Sequence, residues 1–97
     1  MSIEITVLFD VVPNRLTDTV AAFKELCSAT RREEGALRFD ACLSEEHENV
    51  IVLVEEWAGQ EAIDLHMKEG YVTDFLAKVD GAYARPPYVL RLRPLDA

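Results

Sequence analysis

The sequence is poor in basic residues and in cysteine, and it has no long apolar run. Its 97 residues hold 18 acidic and 10 basic side chains, so the formal net charge is -8. This charge repels phosphate backbones and anionic headgroups, and we expect neither a nucleic-acid partner nor a membrane partner. No apolar run reaches the roughly 20 residues that cross a bilayer. The N-terminus lacks the positive segment and cleavage site of a signal peptide, which favours a cytoplasmic protein.

The motifs of several enzyme classes are missing as well. The two cysteines, Cys27 and Cys42, form neither a CxxC pair nor a metal-binding set, so we expect inert thiols and no metal site. There is no glycine-rich phosphate loop, no HExxH and no GxSxG. We therefore expect a protein without a bound cofactor.

Hydrophobic periodicity divides the chain into strands and helices. The predicted elements are a strand at 3–12, a helix at about 15–34, a strand at 36–44, a strand at 50–57, a helix at about 60–68 with a second apolar stripe over 72–79 beyond Gly70, and a strand at 88–93. This β-α-β-β-α-β order predicts the ferredoxin-like α+β fold, in which both helices cover one face of a four-stranded antiparallel sheet.

The strand from Val50 to Trp57 is apolar on both faces until Glu55. Two helices can cover only one face of the sheet, and soluble monomers rarely expose a large apolar surface. The pattern therefore predicts a homodimer that packs through the other face.

One segment could carry chemistry, and it joins this strand to the second helix. Glu55 and Trp57 share a strand face, and His66 lies on the following helix where it can approach Trp57. A carboxylate, an indole and an imidazole around an apolar cavity suit an aromatic substrate. The imidazole can accept or donate a proton near neutral pH.

The same three residues also have ordinary structural interpretations. A single tryptophan often anchors a core, and a helix-face histidine is often structural. Glu55 could pair across strands with Arg91 or Arg93. The residue types alone leave both interpretations open.

Two motifs together resemble the antibiotic biosynthesis monooxygenase domain. They are Gly-Ala-Leu-Arg-Phe-Asp at 35–40 and Glu-Glu-Trp at 55–57 followed by Ala62, His66 and Phe75. The resemblance runs over nearly the whole chain and implies a single domain over 1–97, a dimeric α+β barrel with a pocket between sheet and helices. Members of this family include cofactor-independent monooxygenases of quinols and polyketide anthrones, haem-degrading oxygenases and an isomerase.

The resemblance identifies Trp57 and His66 as the catalytic candidates. It adds Phe39, Glu55, Tyr71 and Phe75 as substrate-binding candidates; Phe39 stands where many members have tyrosine, and Tyr71 where many have a second histidine. Haem degradation is disfavoured, because the first strand lacks the asparagine of that branch.

The resemblance therefore implies a monooxygenase that oxidises a small phenol, quinol or polyketide-like compound with O2. In this hypothesis His66 accepts a proton while Trp57 and Phe75 pack against the substrate ring. A non-enzymatic binding module for an aromatic metabolite and an isomerase of the same fold are the alternatives.

Overall fold

The chain folds into a four-stranded sheet with three α-helices, and the computed structural model describes residues 1–96. The elements in chain order are β1 (Ile3–Asp10), a short 3-10 helix (Pro13–Arg15), α1 (Leu16–Thr30), β2 (Ala36–Leu43), β3 (Val50–Trp57), α2 (Gln60–His66), α3 (Gly70–Lys78) and β4 (Tyr88–Leu92). No helix in this part of the chain has both the length and the apolar character needed to span a bilayer.

The strands pair antiparallel in the order β2-β3-β1-β4. Val7 of β1 lies opposite Leu53 of β3 and Val89 of β4, while Phe39 of β2 lies opposite Glu55 of β3. This topology confirms the predicted ferredoxin-like α+β fold.

Several predicted bounds were too long. The strand predicted at 3–12 ends at Asp10. The helix predicted over 15–34 ends at Thr30, because the amides of Arg32 and Glu33 bond to carbonyls three residues back and form tight turns. The last helical region is two helices, α2 and α3, which meet at a turn over 67–69.

The core lies between the sheet and the helices. It is built from alternate residues of β1 and β3 and from one face of α1, with Phe9 and Phe23 packed edge to face at a centroid distance of 4.9 Å. Phe23 makes a second edge-to-face contact, with Phe75 of α3, also at 4.9 Å. Helical and strand periodicity therefore direct the same side chains inward, as the sequence predicts.

The other face of the sheet carries an apolar patch that is less buried. The apolar residues that share this face in register are Leu8, Val50, Val52, Val54, Tyr88, Leu90 and Leu92, and the polar residues on it are Glu4, Thr6, Asp10, Arg38, Asp40 and Glu56. Of the apolar residues, Tyr88 and Leu92 are exposed and the others are half-buried. The central strand β3 is thus fully buried only on its helix side in the single chain.

Arg15 links the start of α1 to the end of α3. Its guanidinium donates hydrogen bonds to the carbonyl oxygens of Lys78, at 2.9 Å, and of Asp80, at 3.1 Å, and its Nε bonds to Asp18 at 3.0 Å. A cation suits the negative end of a helix, so this contact fixes α1 and α3 relative to each other.

Candidate active site

The candidate site is built around the last residue of β3. The indole of Trp57 is 1% exposed, and its Nε1 donates a hydrogen bond to Oε1 of Glu55 at 2.7 Å. The two side chains share a face because they are two positions apart in a strand. Burial raises the pKa of Glu55, while the bond from Trp57 and the charge of His66 act in the opposite direction.

His66, the last residue of α2, closes over this pair. Its ring centroid lies 4.8 Å from that of Trp57 and 5.7 Å from that of Phe39. Phe39 and Trp57 in turn meet edge to face at 5.9 Å. The structure therefore brings together the indole, the imidazole and the phenyl ring that the sequence places on three different elements.

Glu33 completes the cluster, although it was not among the candidate residues selected from the sequence. Its Oε2 lies 2.8 Å from Nδ1 of His66 and also accepts a hydrogen bond from the hydroxyl of Tyr71. The Tyr71 hydroxyl lies 3.4 Å from Oγ1 of Thr30, the buried last residue of α1. One carboxylate thus connects the imidazole of α2 to the phenol of α3.

Gly35 explains why Glu33 can reach His66. A Cβ atom at position 35 would lie 2.4 Å from Cβ of Ala62, so the start of β2 and α2 touch through a glycine. The amide of Ala58 also donates to the Gly35 carbonyl at 2.9 Å. This close approach sets the chain just before β2 against the end of α2 and so places Glu33 beside His66.

The other candidate residues divide between this cluster and the core. Tyr71 contacts His66 with ring centroids 6.1 Å apart. Phe75 packs on Phe23 instead, in the aromatic core. Arg91, considered as a partner for Glu55, donates to Gln60 at 3.1 Å.

The rings of Phe39, Trp57 and His66 are buried, whereas Glu33, Glu55 and Tyr71 are half-buried. His66 is 6% exposed, whereas the side chain of Glu33 is 17% exposed. Glu33 lines a surface depression of about 660 Å³ on the solvent side. The other carboxylate side chains that line this depression are those of Glu34, Glu61 and Glu69.

The arrangement can hold a histidine in a defined orientation among aromatic rings. Donation of Nδ1–H to a carboxylate leaves Nε2 with a free lone pair, which is the form of imidazole that accepts a proton. Within residues 1–96, no group of three or more His, Cys, Asp or Glu side chains is placed to hold a metal ion.

The chain is a ferredoxin-like α+β protein in which a histidine and a tryptophan are buried between the sheet and the helices, beside two half-buried carboxylates. The sequence matches the family described as antibiotic biosynthesis monooxygenase over residues 2–78. The chain belongs to this family.

Other proteins are similar to this chain in sequence or in fold. The uncharacterized protein YjcS of Bacillus subtilis is 31% identical over 71 residues, which span 72% of this chain and 68% of YjcS. Rv0793 of Mycobacterium tuberculosis is 25% identical and superposes with a TM-score of 0.89 over 100% of this chain and 98% of its own. A Nitrosomonas europaea protein, provisionally named an antibiotic biosynthesis monooxygenase, shares the fold with a TM-score of 0.91 at 19% identity, over 97% and 90% of the two chains.

Proposed function

We propose that the chain is a monooxygenase that uses His66 as the proton acceptor for a small phenolic, quinol or polyketide-like substrate. The observation that carries the proposal is the hydrogen bond between His66 Nδ1 and Glu33 Oε2, 2.8 Å long, in a cluster that also holds Trp57. A general base needs a fixed orientation, and a carboxylate that accepts Nδ1–H fixes the ring and leaves Nε2 as the nitrogen that can accept a proton.

In the proposed reaction the substrate itself supplies the electrons. His66 removes a proton from the hydroxyl or activated methylene, and the resulting anion is electron-rich enough to reduce O2. For a methylene group, a carbon–oxygen bond forms and two carbon–hydrogen bonds and the oxygen–oxygen bond break. The products are a carbonyl group and one molecule of water, which balances the four electrons that O2 accepts.

The aromatic side chains support a substrate of this class. Trp57 and Phe39 flank the imidazole, so a substrate ring that reaches His66 also meets aromatic side chains. Glu55, which already accepts a hydrogen bond from the indole N–H, would also accept one from a substrate hydroxyl. The Tyr71 hydroxyl bonds to Glu33, so Tyr71 would act with that carboxylate.

Substrate binding requires the cluster to open. Trp57 and His66 are 1% and 6% exposed, and Phe39 is 3% exposed. Closure around the bound substrate would then exclude bulk water, which strengthens the electrostatic effect of the Glu33 carboxylate on the imidazole.

We also propose that two copies of the chain pack through the outer face of the sheet. Leu8, Val52 and Leu90 lie on that face, where β1, β3 and β4 run side by side. Tyr88, also on that face, is 63% exposed in the single chain. A second copy would remove these side chains from water, and burial of apolar area is the main driving force of such association.

An isomerase is the second candidate, and the histidine–carboxylate pair favours it equally. Moving a proton between two carbons needs the same base but consumes no O2. Plain binding of an aromatic metabolite would need neither the base nor O2. Oxygen uptake therefore separates the monooxygenase from both alternatives.

The test is oxygen uptake by the purified protein with a panel of quinols, anthrones and flavonoid-like phenols. We expect uptake that falls at least about tenfold in His66→Ala, a lower bound because a general base typically contributes roughly 10²–10⁴-fold. Trp57→Phe should lower it as well, by removing the donor to Glu55. His47→Ala is the matched control, because His47 is exposed in the turn before β3.

The monooxygenase would be refuted if no compound of the panel caused oxygen uptake while a copurifying or titrated ligand still bound. Uptake unchanged by His66→Ala would remove His66 from the mechanism. Product formation without uptake would establish the isomerase.

A further inference from the structure

A second cavity lies on the helix side of the sheet, between α1 and the free edge strand β2. Its volume is about 350 Å³, within the usual range for small-molecule pockets. The residues that line it are Val20, Phe23, Lys24, Cys27, Arg31, Ala41, Cys42, Leu43 and Ile51. We call it the α1–β2 groove.

The α1–β2 groove is separate from the site around His66. Ile51 and Trp57 lie near opposite ends of β3, and six residues of extended strand span about 20 Å. The side chain of Phe39, 3% exposed, stands between the groove residue Ala41 and the Trp57 ring. A ligand in the groove would therefore not touch His66.

The walls of the groove are apolar, and part of that apolar surface is open to water. Phe23 and Ile51 are buried and form part of the inner wall, whereas Leu43 is 51% exposed at the edge of the sheet. Burial raises the pKa of the Cys27 thiol, so this side chain is a neutral apolar contact and not a nucleophile.

The only charges that line the groove, among the described residues, are positive. Lys24 and Arg31 are seven positions apart, two helical turns, and so face the same side. Asp40 pairs with Arg31 at 2.9 Å and also with Arg38 at 3.0 Å, so these pairs leave an excess of positive charge. Such a patch is unusual in a chain with a net charge of -8.

The depression beside Glu33 has the opposite character, since four carboxylates line it. An organic anion is repelled there and attracted to the α1–β2 groove. Because the groove faces the helix side and lies at an outer strand, a dimer packed through the opposite sheet face leaves it accessible.

We propose that the α1–β2 groove is a binding site for a small aromatic or branched carboxylic acid. The carboxylate meets Lys24 and Arg31, and the apolar body lies against Phe23, Ile51 and Leu43. Charge-assisted hydrogen bonds fix the orientation of the ligand, and apolar burial supplies the remaining affinity.

The test is a titration of the nitrogen-15-labelled protein with 2-naphthoate and with its neutral isostere 2-naphthamide. Naphthoate should shift the amide signals of the groove residues and bind about tenfold more tightly than naphthamide, the factor that one charge-assisted hydrogen bond supplies. The double variant Lys24→Gln/Arg31→Gln should bind both probes with the same weak affinity. Ala41→Leu, which fills the groove, should weaken both probes.

The matched control is Arg32→Gln/Lys68→Gln, which makes the same change in net charge with two exposed residues outside the groove lining. It should bind naphthoate as the wild type does. The proposal would be overturned if the wild type bound the two probes with equal affinity, or if both double variants weakened naphthoate binding equally. It would also be overturned if the shifts were confined to the outer sheet face or if no signal shifted.

Discussion

The contact between Gly35 and Ala62 gives the sharpest stability prediction. In Gly35→Ala the new methyl carbon would lie 2.4 Å from Cβ of Ala62, whereas carbon atoms pack at about 3.5–4.0 Å. Relief of the clash needs a displacement of roughly 1–1.5 Å. Neither partner is a flexible side chain, so α2 has to move away from β2.

That displacement should both lower the stability of the fold and disturb the candidate site around His66. Overpacking of this kind costs about 1–3 kcal/mol, which lowers Tm by roughly 5–20 °C in a chain of this size. His66 is one helical turn beyond Ala62, so its 2.8 Å bond to Glu33 would lengthen past hydrogen-bond range. Thermal and urea unfolding measure the first effect, and the His66 ring signals in NMR spectra measure the second.

Two further variants test the reasoning. Gly70→Ala, where a new Cβ has no atom within 4 Å and the residue begins α3, should be neutral or slightly stabilising. Ala62→Gly added to Gly35→Ala should restore the His66 signals, because it removes the opposing methyl carbon. Equal stability of Gly35→Ala and Gly70→Ala would refute the packing argument.

Three other predictions follow from the structure. In Glu33→Gln the nitrogen-15 shifts of the His66 ring should show loss of the single Nδ1-protonated form, and unchanged shifts would mean that Glu33 does not orient the ring. Tyr83→Phe should raise the free energy of unfolding by about 1 kcal/mol, because the Tyr83 hydroxyl is buried without a partner among the described residues. Burial raises the pKa of Tyr83 from 10.0 to about 12, so between pH 10 and pH 12 the unfolded chain releases this proton and the folded chain keeps it. The wild type should therefore lose stability relative to Tyr83→Phe over this pH range. Parallel pH profiles of the two proteins in urea unfolding would contradict this. Val52→Lys should raise the dimer dissociation constant about 100-fold or more in sedimentation analysis. Val89→Lys should not raise it, because Val89 is exposed on the helix side of the sheet. An equal effect of both variants would exclude the outer face as the interface.

The fold followed from the sequence because strand and helix periods point the same residues inward. Val7 and Phe9 alternate on β1, and the α1 stripe through Phe23 meets them in the core. The approach of His66 to Trp57 was also predictable, because one residue ends a strand and the other lies on the helix that follows it. The last helical region was harder, since Gly70 marks the start of α3 and not a break within one helix.

Glu33 was not selected as a site residue from the sequence, and the reason is physical. It lies in the charged run Arg31 to Glu34, and charged runs are usually solvated, so periodicity gives no sign that one member is buried by pairing. The signal that could have found it is Gly35, because a glycine two residues later permits the close approach to α2. Phe75 shows the converse: its helical spacing suits both the core and the site, and only packing on Phe23 decides between them.

The way α2 is anchored has a consequence for its motion. His66 is the one buried residue of this seven-residue helix, whereas α1 buries six and is fastened to α3 through Arg15. Detaching α2 breaks the imidazole–carboxylate bond, the Arg91–Gln60 bond and the packing of His66, Ala62 and Ile63, which is still less than global unfolding. Its amide protons should exchange with deuterium well before those of α1, and under the proposed function α2 is the segment that would move aside to admit a substrate.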